Sequence, residues 1–83
     1  MSYVNDSTDL SDKIITIFCN DGHCNVIYHH GEYNNPITLK DIAETHPYVS
    51  LVIAESGLEG IVYRYGNHEP GKWESVGKTQ GYA

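Results

Sequence analysis

Cationic side chains are scarce in this chain. Lys and Arg together number 5 against 11 Asp and Glu, which leaves a formal net charge of -6 over 83 residues. Binding to DNA or RNA backbones draws on clustered Lys and Arg that displace counterions. Adsorption to anionic bilayers draws on the same residues. No such cluster occurs, so direct nucleic-acid and membrane-surface binding are not expected. Long apolar runs are missing as well, and none approaches the ~20 residues of a membrane-spanning helix. The opening residues MSYVNDSTDLS lack the basic and apolar regions of a secretion signal, which makes the cytoplasm the expected location. The glycines fit neither G-x-x-x-x-G-K nor G-x-G-x-x-G. There is no twelve-residue calcium loop and no serine in a nucleophile-elbow context. No enzymatic activity and no cofactor are expected.

What is present suffices for one small core. Hydrophobic residues make up 40% of the chain, too much for a fully disordered polymer. A domain of this size buries only about 60–65% of its unfolded surface, so its stability amounts to a few kcal/mol. Residues 1–11 are polar, with Asp6 and Asp9 and no cation, and read as a flexible acidic leader. The Asn5-x-Ser7 triplet is a chance match to a glycosylation signal. Residues 12–83 read as a single α+β domain.

Residues 13–30, KIITIFCNDGHCNVIYHH, hold the clearest local signal. Two β-rich runs flank Asp21-Gly22, a pair favoured in two-residue hairpin turns that need positive φ at both positions. That turn sets Cys19 opposite Cys24, Ile17 opposite Val26 and Ile15 opposite Tyr28. Side chains alternate across a strand, so these six share one face, which is almost wholly apolar and belongs on the core. Ile14, Thr16, Phe18, Asn25, Ile27 and His29 share the other. Its three large apolar groups are more than a wet face usually carries.

Further along, Thr38-Leu39-Lys40-Asp41 forms a capping box, with Thr38 as the N-cap. The helix it opens is expected to stop at His46, ahead of Pro47. YVSLVIA (48–54) and GIVYRY (60–65) read as two strands, the first apolar on both faces and therefore central. Trp73–Val76 reads as a short edge strand followed by an irregular tail. The expected architecture is one antiparallel sheet of four to five strands, β-β-α-β-β-(β), with one short helix on one face.

Cys19, Cys24 and His23, with His29 and His30 beyond, suggest a metal site at first sight. The register brings only the two cysteines together and turns His23 to the opposite face, so a tetrahedral zinc lacks ligands. Metal binding through Cys19 and Cys24 is the minor alternative. In a cytoplasmic protein the pair is expected to stay reduced. The five histidines are expected to be ordinary surface or hydrogen-bonded residues.

Seven Tyr, one Trp and one Phe make aromatics 11% of the chain. Tyr and Trp are enriched at protein interfaces, because they bury a large area with few rotors and keep a polar tip. Tyr63, Tyr65 and Trp73 are expected to cluster across strands. With Phe18 and His29, and flanked by Asp21, Glu55 and Glu59, they are the expected contact residues of a partner-binding surface. A basic surface is the natural complement of an acidic one. A homodimer that buries the uncovered sheet face against its twin is the alternative.

The C-terminal residues Tyr63-Arg64-Tyr65-Gly66 and Trp73-Glu74-Ser75-Val76-Gly77-Lys78-Thr79-Gln80-Gly81-Tyr82-Ala83 add a further hint. This stretch resembles the W-E-x-x-G-x-T-x-G-Y-A tails of small uncharacterised proteins of Firmicutes bacteria and their phages. The resemblance covers about a quarter of the chain and carries no catalytic residue. It implies a phage or mobile-element product that inhibits or modulates a host protein by binding it.

Overall fold

A computed structural model describes residues 4–20, 25–29, 32, 38–66 and 72–81. Five strands and one helix follow one another as β1 (Ile14–Cys19), β2 (Asn25–Tyr28), α1 (Leu39–Thr45), β3 (Val49–Ser56), β4 (Glu59–Gly66) and β5 (Lys72–Thr79). The strands form one sheet in the order β2-β1-β3-β4-β5, every neighbouring pair antiparallel. The α+β class and the β-β-α-β-β-β order are those the sequence implies, and β3 is central. No helix among the described residues is long and apolar enough to cross a membrane.

The β1–β2 register is the one expected from the sequence: Ile15 pairs with Tyr28, Ile17 with Val26 and Phe18 with Asn25. Asp21, Gly22, His23 and Cys24 lie outside the described residues. One face of the sheet carries the core, with Ile15, Ile17, Val52 and Ala54 from the middle strands and Tyr63 and Trp73 from β4 and β5. Leu39 and Ile42 of α1 close over it. Thr38 caps the helix as expected: the Asp41 N–H donates to Thr38 Oγ1 at 3.1 Å and the Thr38 N–H donates to Asp41 Oδ2 at 3.2 Å. Pro47 follows the C-cap His46, and the helix is only seven residues long. So short a helix holds through tertiary contacts rather than propensity.

Two expectations are corrected. Charge alone makes residues 1–11 a flexible leader, yet Leu10 is 1% exposed in the core and Val4 packs against it. Burying one leucine contributes about 1.5–3 kcal/mol, more than the repulsion between exposed acids opposes. The segment is also tied by its backbone. The Val4 N–H donates to the Trp73 carbonyl on β5 at 2.9 Å, and the Asp6 carbonyl accepts from the Lys40 N–H at 3.0 Å. The second bond satisfies a first-turn donor of α1 that has no partner within the helix. Asn5 and Asp9 make the turns, each accepting from the backbone N–H two residues on, in Ser7 and Ser11.

The second correction concerns β5, which continues to Thr79 rather than ending near Val76. Its register shifts between Val62 and Tyr63, so that Tyr63 pairs with Ser75 and Val62 with Gly77. Val76 is the extra residue of a bulge. Beyond it the chain stays paired, and Gly81, at φ +80°, lies so close to the Gly57 carbonyl and the Glu59 N–H that a Cβ would collide with both.

Candidate functional site

Helix α1 and the N-terminal segment cover one side of the sheet. No element among the described residues covers the other, and the ladder pairings arrange that open face in three rows. The middle row runs Ile27, Thr16, Ile53, Val62 and Gly77 across the five strands. One flanking row runs Asn25, Phe18, Leu51, Arg64 and Glu74, the other Ile14, Glu55, Gly60 and Thr79. Ile27 is 57% exposed and Phe18 36%, while Ile14, Leu51, Ile53 and Val62 are half-buried by their strand neighbours. This is a flat apolar surface with a few charges, and no cavity forms among the described residues.

The charges are placed by the same rows. Glu74 is buried on this face and Arg64, on the neighbouring strand, donates to its Oε1 through Nε at 3.1 Å and also through Nη2. Sharing one carboxylate with two guanidinium nitrogens offsets the burial of Glu74, and more than half of the Arg64 side chain stays exposed. Glu55 is half-buried at the other end. It lies across Gly60, where a side chain would collide with it, and its Oε2 accepts from Thr79 Oγ1 at 3.2 Å.

The expected contact residues divide between the two sides. Phe18 and Glu55 stand on the open face, His29 is exposed just past the end of β2, and Glu59 is exposed beside the Gly57-Leu58 turn. Asp21 lies outside the described residues. Tyr63, Tyr65 and Trp73 are on the helix-covered side: Tyr63 and Trp73 are corrected from contact residues to core, and Tyr65 is partly buried against it. Tyr63 is 7% and Trp73 1% exposed. Tyr65 pairs with Trp73 across the strands, with ring centroids 4.8 Å apart, so two of the three aromatics expected to cluster are in contact, on the inward side, while Tyr63 pairs with Ser75. Burial pushes the Tyr63 hydroxyl above its ordinary pKa. The buried Trp73 indole Nε1–H has no hydrogen-bond partner among the described residues. Alternation had fixed which residues share a face. The docking of α1 decides which face is covered, and no local signal carries that.

Cys19 is disulfide-bonded, and the chain's one other cysteine, Cys24, lies outside the described residues. This corrects the reduced state expected of a cytoplasmic protein. A sulfur so bonded offers no thiolate to a metal. Among the described residues no group of three His, Cys, Asp or Glu side chains is placed to hold one. Apart from Phe18, the main surface residues missed by the sequence reading are Leu51, Ile53, Val62 and Arg64. For Leu51 and Ile53 the signal was the 48–54 run apolar on both faces; Val62 and Arg64 follow from their pairing with Ile53 and Leu51 across the β3–β4 ladder.

Comparison with protein-family models, with curated proteins and with solved structures finds no match to this chain.

Proposed function

We propose that this chain is a non-catalytic protein-interaction module whose contact surface is the open sheet face. The observation that carries the reading is the pairing of Phe18 with Leu51 and of Ile27 with Thr16. These pairs put two exposed large apolar side chains into a continuous uncovered patch with half-buried Ile14, Ile53 and Val62. Contiguous apolar patches of this kind mark binding surfaces more often than scattered exposed residues do. The net charge of -6 favours a partner of opposite potential in long-range encounter. On the face itself Arg64 pairs with Glu74 at one end and Glu55 stands at the other, so close contact rests on apolar packing in the middle row and the charges lie in the flanking rows. Inhibition of a host protein, as in phage products, is a finer version of this reading that rests on the C-terminal resemblance alone.

The test is affinity purification with wild-type and Phe18→Thr bait, after circular dichroism shows both to be folded. The proteins recovered by the wild type, differently tagged copies of the chain included, should be lost with the variant. Identical recoveries would remove the open face as the contact surface.

A further inference from the structure

We infer that the occupant of the open face is a second copy of this chain, seated about a two-fold axis that runs along the middle row, across the strands. The inference rests on the interaction reading above. An acidic chain repels its copies except where a face lacks uncompensated charge, and this face carries a central row of Ile27, Thr16, Ile53 and Val62 with none. A two-fold axis along that row sets each of these residues against its own twin and exchanges the two flanking rows. Phe18 then meets the partner's Ile14. Arg64 meets the partner's Gly60, which has no side chain of its own and across which Glu55 lies.

Charge selects this axis over its rival. Arg64 and Glu55 stand on adjacent strands four residues apart in register, roughly 13 Å along the sheet. An axis parallel to the strands through central β3 would lay Glu55 on its twin. The axis across them lays exposed guanidinium on carboxylate at two symmetric places. Glu55 Oε2 is held by Thr79, which fixes the carboxylate where the partner's Arg64 arrives. Sheets packed face to face twist by about 30° relative to each other, which displaces Ile53 on central β3 least and sets Ile27 on edge strand β2 about 5 Å aside from its twin, still within reach of a long side chain.

Size sets the strength. Four strand spacings and six residues of strand give a face of roughly 19 by 20 Å, about 400 Å² in plan on each copy. Side-chain relief brings the total to about 1,000 Å², the lower end of specific interfaces, so the dimer should dissociate in the micromolar range.

The experiment is sedimentation equilibrium over about 1–300 µM, a range chosen to bracket such a weak interface. Ile27 lies on the axis and is largely exposed, so Ile27→Asp and Ile27→Lys should leave the fold, followed by circular dichroism, unchanged. The wild type should reach twice the chain mass, each variant alone should remain monomeric, and an equimolar mixture of the two should dimerise again as Asp meets Lys. A wild type that stays monomeric, variants that still dimerise, or a mixture that fails to associate would each overturn the inference. A monomeric wild type whose recovered proteins are still lost with Phe18→Thr would overturn the dimer alone. One with identical recoveries would overturn the interaction reading too.

Discussion

The hydroxyl of Tyr28 and Nε2 of His46 lie 3.1 Å apart, joining the edge strand β2 to the C-cap of α1. Their rings are tilted by 55° with centroids 5.9 Å apart, so packing and a hydrogen bond act together. β2 is only four residues long and pairs on one side with β1. This contact is its tie to the helix layer.

A partly buried hydrogen bond of this kind contributes about 1 kcal/mol net. Tyr28→Phe should therefore lower the melting temperature by roughly 4–8 °C in a domain of this size. A double-mutant cycle with His46→Ala should return a coupling of at least about 0.5 kcal/mol. Strict additivity of the two substitutions would show that the pair is merely adjacent.

The N-terminal segment gives a sharper contrast. Leu10 is fully buried, so Leu10→Ala should destabilise by about 2–4 kcal/mol through lost transfer energy and a residual cavity. That is most of the stability available to so small a domain. In a loose leader the same change would stay within about 0.5 kcal/mol. Urea unfolding separates the two outcomes without ambiguity.

Alkaline pH tests the inward-facing aromatics. Burial raises the Tyr63 hydroxyl above the ordinary tyrosine value of about 10 in the folded protein. The unfolded chain therefore releases this proton first, and stability is unaffected below about pH 10 and declines as pH rises beyond it. In Tyr63→Phe this part of the decline should vanish while that of the other tyrosines remains. Chemical unfolding of both proteins between about pH 8 and 11.5 measures the difference, and parallel curves would place Tyr63 in water.

These contacts also show how far the amino-acid sequence reaches. Thr38 and Asp41 announce the helix because the capping box is a local hydrogen-bonding device, and it forms as read. Asp21-Gly22 announces the β1–β2 register for the same reason, and Ile17 duly pairs with Val26. Leu10 was illegible, since a single apolar residue in a polar stretch has no period, and its burial depends on a core built by residues far along the chain. The length of β5 was hidden by the bulge at Val76, which breaks the alternation begun at Trp73. Phe18 was read as a surface residue because its strand neighbours settle its face. Tyr63 and Trp73 were placed outside because only the tertiary docking of α1 determines which side of a sheet is inside.

The strand order has a consequence for how the chain reaches this state. The β1–β2 hairpin and the β3–β4–β5 meander each join neighbours in sequence. The seam between them, where Ile17 meets Val52 and Ile15 meets Ala54, joins residues from opposite ends of the intervening helix. Closing that loop is an entropic step that neither local unit rewards in advance. Three of these four side chains, Ile15, Ile17 and Val52, are completely buried, so the barrier to folding and the centre of the core coincide at one seam. Substitutions there should slow folding, whereas those on β2 or at the β5 rim should mainly hasten unfolding.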